Sequence, residues 1–169
     1  MKSEKTLALA AGIGLLVGLR TFGAPAVLSR ASRRGLISPH SRLGFLSSPR
    51  AARLLTVAAA GEMIADKLPF MVSRLQPGSL AARAVSGAMC GATMAAQETD
   101  DAEILIAAAI AGTAAIGGAY VGHHLRRTLA RRFPAASLAV AMCEDSIAIG
   151  GALAIMSYAV RGKRRAKAA

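Results

Sequence analysis

The stretch Leu54–Pro69, LLTVAAAGEMIADKLP, limits the folds open to this chain more than any other. It begins as an uncharged, alanine-rich run and then carries Glu62, Asp66 and Lys67 into an otherwise apolar helix. Glu62 and Asp66 are four residues apart, so a helix stacks them on one face. Like charges at that spacing repel unless a proton, a cation or a basic side chain lies between them. Ionisable groups at membrane depth are costly and turn toward a protein interior or a water-filled cavity.

The surroundings of that stretch are apolar throughout. Hydrophobic residues make up 54% of the chain and the mean hydropathy is +0.45, which strains a soluble globular reading. The apolar content is mostly Ala, Leu, Ile, Val and Gly, suited to closely packed helices. Tryptophan is absent and aromatics are 4%, so an interfacial aromatic belt would be sparse. The net charge of +12 does not indicate a nucleic-acid partner. The basic residues sit in short segments between apolar runs, with no aromatics interleaved. They fit loops at an anionic lipid surface instead. Cys90 and Cys143 lie within apolar runs and read as small buried hydrophobes, not as a disulfide or metal pair.

Five hydrophobic segments follow from the order of the chain. Thr6–Leu19 and Thr21–Ser29, joined by Arg20, are together long enough to span a bilayer. A signal peptide with Ala24-Pro25-Ala26 as its cleavage site is the rival, and Arg20 between core and site argues against it. Arg30–Arg53 has six arginines and no acid and reads as a headgroup-facing loop, with room for a short interfacial helix. Leu54–Pro69 is the second segment and Ser79–Gln97 the third. In the third, Ala84, Gly87, Ala88, Gly91 and Ala95 form a small-residue stripe. After an acidic loop, Ile104–Leu125 is the cleanest span, with Gly117, Gly118 and Gly122 favouring close packing. Arg126–Arg132 reads as a second basic loop, Ala135–Val160 as the fifth segment with Glu144 and Asp145 inside it, and Arg161–Lys167 as a mobile basic tail. Residues 1–160 thus form one transmembrane domain and 161–169 its tail.

Five full spans distribute Lys and Arg almost evenly between the two faces, so positive-inside asymmetry assigns no orientation. Either dual insertion follows, or the carboxylate-bearing segments enter and leave by one face. A faint two-fold pattern runs through the chain. Each half has an apolar helix ending in Leu-Arg (Leu19-Arg20-Thr21, Leu125-Arg126-Arg127-Thr128), a basic loop, and a helix with acids (AAAGEMIAD, VAMCEDSIA). Two helices, a linking helix and two more helices is the plan of an inverted repeat, with a site between the halves.

Several blocks carry a family resemblance. They are Gly18-Leu19-Arg20-Thr21 with Ala24-Pro25-Ala26, Gly61-Glu62, and Ala65-Asp66-Lys67-Leu68-Pro69 with Ser73-Arg74. Arg83-Ala84-Val85-Ser86-Gly87-Ala88 and Glu144-Asp145-Ser146-Ile147-Ala148-Ile149-Gly150 complete the set. Together these resemble a family of small bacterial integral membrane proteins, the domain of unknown function 4126. The likeness covers about Gly12 to Ser157. It implies a multi-pass protein of the bacterial cytoplasmic membrane and brings no activity or site with it.

The candidate site is therefore read from residues alone. Glu62, Asp66, Glu144 and Asp145 form the expected cation or proton site. Arg20 and Lys67 are the expected counter-charges; the bland reading pairs and buries the whole set as structure. Glu144 and Asp145, about 100° apart on a helix, need not share a partner. Lys67, near a helix end, is also placed to snorkel, and the neighbouring His123 and His124 point in different directions. No phosphate loop, nucleophile elbow or zinc spacing occurs. The resulting expectation is an all-α polytopic membrane protein, a small transporter or channel-like protein for a cation, proton-coupled or small polar solute. It is not expected to be an enzyme or to hold a cofactor. Its expected partners are the bilayer and a second copy in a homodimer. The alternatives are a non-transporting membrane module with lipid-facing basic loops and, behind it, a lipid-head-group enzyme.

Overall fold

One long helix, α5 (Asp101–Arg132), is the axis against which two others lie. The computed structural model describes residues 2–37, 41–66, 75–96, 101–133 and 137–168. Besides α5 these hold α1 (Lys2–Leu19), α2 (Gly23–Arg33), α3 (Pro49–Ala65), α4 (Pro77–Ala95) and α6 (Ser137–Ala168), with a short 3-10 helix at Ser41–Ser47. No strand occurs among the described residues, so the protein is all-α as expected. Lys67 lies outside them.

The helix boundaries have local causes. Ser48 is extended and its hydroxyl accepts from the Ala51 N–H at 3.1 Å, with Pro49 opening α3. Pro77 opens α4 in the same way. Asp101 and Glu103 in the first turn of α5, and Arg131 and Arg132 in its last, match the helix dipole. Gly35, at φ +66°, ends α2; its N–H reaches the Ser32 carbonyl and the Leu36 N–H reaches Ala31, a Schellman close.

Small residues set the packing. Gly14 and Gly18 of α1 abut the backbone of Ala111 and Ala115 on α5, so α1 and α5 run in the same direction. Gly87 and Gly91 of α4 abut Ala111 and Ala107, so α4 runs the other way. Gly12 faces Ile155 and Gly151 faces Leu16, making α6 antiparallel to α1. Gly23 of α2 lies by Ile149, and farther along Arg34 shares a groove with Arg161, so α2 runs alongside α6. The 3-10 turn is held to α2 by the Ser29 hydroxyl donating to the Leu46 carbonyl. From there α3 returns to the α1–α2 junction. The helices thus alternate in direction, and Lys2 and Arg161 lie at the end opposite that junction.

Three expectations change. Thr6–Ser29 is a hairpin of two helices broken at Arg20–Phe22, not one span, so six α-helices replace five among the described residues. Arg126–Arg132 is helical, an extension of α5 rather than a loop, because nothing before Pro134 interrupts it. The tail is helical through Ala168. The small-residue stripe of α4 packs as expected and so does Gly118, whereas Gly117 faces open space. Cys90 is buried and Cys143 exposed, and neither is in a disulfide.

Large apolar side chains are exposed along the outer faces of several helices. Leu54, Val57, Ile64, Leu105 and Val121 are each more than 60% exposed, on α3 and α5. Asp101–Leu129 and Leu138–Arg161 are long and apolar enough to cross a membrane, with mean hydropathies of 2.0 and 1.7, and no more than a third of either is buried in the protein.

Candidate functional site

The break between α1 and α2 creates the need that the site answers. Where α1 stops at Leu19, its last carbonyls lose their helical partners, and the first N–H groups of α2 have none. Glu62, from the last turn of α3, accepts both orphan donors: Thr21 N–H to Oε1 at 2.9 Å and Phe22 N–H to Oε2 at 3.0 Å. A carboxylate at a helix N-terminus is also favoured by the dipole. Arg83, on α4, does the same for the other side of the break. Its Nε donates to the Gly18 carbonyl at 3.1 Å, and one terminal nitrogen bonds Ser79 Oγ. Its other nitrogen lies 3.7 Å from Glu62 Oε1, so the two caps are themselves paired.

Beside this lies a chain of ion pairs. Arg20 Nη1 is 2.6 Å from Asp66 Oδ2, and its Nη2 pairs with Asp145. Asp66 Oδ2 also receives Arg126 Nη1 at 2.7 Å, and Arg126 Nη2 donates to the Asp66 carbonyl at 3.1 Å. Arg126 Nη1 in turn lies 3.6 Å from Glu144 Oε2. Each arginine bridges Asp66, the C-cap residue of α3, to an acid of α6, a geometry for which the guanidinium fork is suited.

The cluster is buried but not uniformly. The Arg20 side chain is 3% exposed, that of Asp66 8% and that of Asp145 9%, whereas Arg126 is 28% exposed and forms the open rim. Arg20 Nε is enclosed with no hydrogen-bond partner among the described residues. Burying so many charges is tolerable only because they are mutually paired.

The structure therefore brings Glu62, Asp66, Glu144, Asp145 and Arg20 to one place, at the ends of α1, α3 and α5 and the beginnings of α2, α4 and α6. Glu144 and Asp145 do turn to different arginines. Arg83 and Arg126 are the members that the sequence reading left out. Their signal was available: each is an arginine on an apolar helix that already needs a counter-charge for the acids. His123 and His124 meet edge to face, with ring centroids 5.6 Å apart. No three His, Cys, Asp or Glu side chains among the described residues are grouped to hold a metal ion.

Helices that alternate in direction, two of them long and apolar enough to cross a membrane, and a buried arginine–carboxylate cluster at one end define the class of protein. A family model, Domain of unknown function (DUF4126), matches residues 7–162, nearly the whole chain, and the chain belongs to that family. No curated protein and no solved structure matches it.

Proposed function

We propose that this is a small multi-pass protein of the bacterial cytoplasmic membrane that moves a proton, a cation or a proton-coupled small solute through exchange at the ion-pair chain. The observation that carries this reading is the gradient along the cluster. Glu62 is fixed by two backbone N–H groups and serves as a cap, so it is not the exchanging group. The Glu144–Arg126 pair is longer, at 3.6 Å, and its arginine forms the open rim while the Glu144 side chain is itself buried. Protonation of Glu144, or its capture of a cation, releases Arg126 toward Asp66 and changes the charge felt by Arg20. The outward apolar faces of α5 and α6 support the membrane setting, since exposed apolar surface on that scale marks a membrane or partner contact. Arg20 and Arg126 each join Asp66 to an α6 acid, but α1 and α5, the two helices that end in Leu-Arg, run in the same direction, so the inverted repeat expected from the sequence is not part of this proposal.

Flux in reconstituted vesicles tests the reading. Proton or monovalent-cation flux is expected in the native protein and largely lost in Glu144→Gln, while Cys143→Ala, on the exposed side of α6, keeps it. Flux indifferent to Glu144→Gln overturns the role.

A second reading, a non-transporting membrane module, is favoured by one observation: the Glu62–Arg83 pair caps both sides of the helix break. It predicts that neutralising the acids lowers stability alone, and that replacing the exposed arginines of α2 alters the phenotype. The outer face of α3, with Leu54, Val57, Gly61 and Ile64 outward, suits a homodimer contact, which cross-linking through Val57→Cys would reveal.

A further inference from the structure

At the end of the molecule away from the ion-pair cluster, α2 and α6 leave a groove of about 530 Å³. That is within the size range of a small-molecule site. Its floor and walls are apolar, with Val27, Leu153, Met156 and Val160 among them. At its outer end stand Arg30, Arg34 and Arg161, and no acid lines it. All three arginines are exposed, and among the described residues none is in an ion pair with an acid. Arg30 and Arg34 stand in the last turn and at the C-cap of α2, where the helix dipole favours a cation, but that does not account for Arg161 of α6 joining them beside an apolar trough.

We propose that this groove binds an anionic phospholipid, its phosphate held by Arg30, Arg34 and Arg161 and the start of one acyl chain lying along Leu153 and Met156. Three features select this occupant. Guanidinium forks match phosphate oxygens in pairs. Arg161 ends the apolar stretch Leu138–Arg161, so the guanidiniums sit at headgroup level. Leu153, about two turns back along α6, then lies about 12 Å deeper, within hydrocarbon. A soluble phosphate would use the arginines and leave the trough without purpose. Basic pockets between membrane helices bind anionic headgroups in this manner. The proposal rests on the membrane setting given under Proposed function, and it is independent of whether the protein transports anything.

The test is thermal unfolding of the full chain in a neutral detergent, with titrated lipid. Phosphatidic acid or cardiolipin is expected to raise the melting temperature saturably, while phosphatidylcholine and inorganic phosphate leave it unchanged. The triple variant Arg30→Ala/Arg34→Ala/Arg161→Ala is expected to bind the anionic lipid on the order of 100-fold more weakly, at roughly fivefold per arginine. Leu153→Trp fills the trough while keeping every charge, and it is expected to abolish the shift; it serves if the triple variant does not fold. Equal stabilisation by phosphatidylcholine, or by phosphate alone, overturns the proposal, as does an undiminished shift in Leu153→Trp. A chain that stays soluble and monomeric without detergent would instead sink the membrane reading beneath it.

Discussion

Arg20 is held from two sides by buried acids. It sits in the non-helical turn between α1 and α2, its side chain is 3% exposed, and it holds Asp66 at the end of α3 and Asp145 of α6. Arg20→Met leaves Asp66 and Asp145 short of a buried counter-charge. The expected cost is about 3–5 kcal/mol, read as a fall in unfolding temperature in detergent. Arg20→Lys is expected to recover only part of it, because one ammonium cannot fork between two carboxylates. Glu62→Gln presents an amide N–H to a backbone N–H and should lose about 1–3 kcal/mol. If Glu62 and Arg83 act as one cap, a double-mutant cycle on Glu62→Gln and Arg83→Met will show coupling, and strict additivity would contradict that. The acids were legible in the sequence because a carboxylate in an alanine-rich run has so few ways to be neutralised. Their partners were less so. Arg83 lies in a segment whose pattern is dominated by its small residues, and Arg126 stands with Arg127, Arg131 and Arg132, a group that fits loop charge equally well. Periodicity cannot say which arginine of such a group turns inward.

Between α1, α4 and α5 there is almost no side-chain thickness. A Cβ at Gly87 would lie 2.6 Å from the Ala111 carbonyl oxygen, and one at Gly14 would strike the same carbonyl from the other side. Gly87→Ala is therefore expected to destabilise by about 1–3 kcal/mol despite the better helix propensity of alanine. Gly117→Ala, in open space, is expected to be neutral or to stabilise by up to about 1 kcal/mol. Unfolding of the two variants side by side checks both signs. The stripe on α4 was readable as a contact face from its spacing alone. The break at Arg20 was not, although Pro25 marks it: α2 has a proline in its first turn, where no N–H partner is needed. Read as part of a cleavage-like Ala-Pro-Ala, the same proline gave no hint of a helix start.

Taken as a whole, the molecule places both ends of its helical array on one side. Labelling Ser3→Cys and Arg161→Cys in oriented vesicles is expected to find both on the same membrane face, with Arg132→Cys on the other. A result placing the two termini on opposite faces would restore the odd span count that the hydropathy of Thr6–Ser29 suggests. The sequence could not decide this, because a hairpin and a single crossing have the same apolar composition; only the turn at Arg20–Phe22 separates them. The shared carbonyl of Ala111 has a consequence for any working motion. Helices whose backbones touch cannot slide past one another without first prying apart, so α1, α4 and α5 must travel as a single rigid wedge. Any rearrangement that the proposed exchange required would belong to α2, α3 and α6, hinging around that wedge as a door does around its frame.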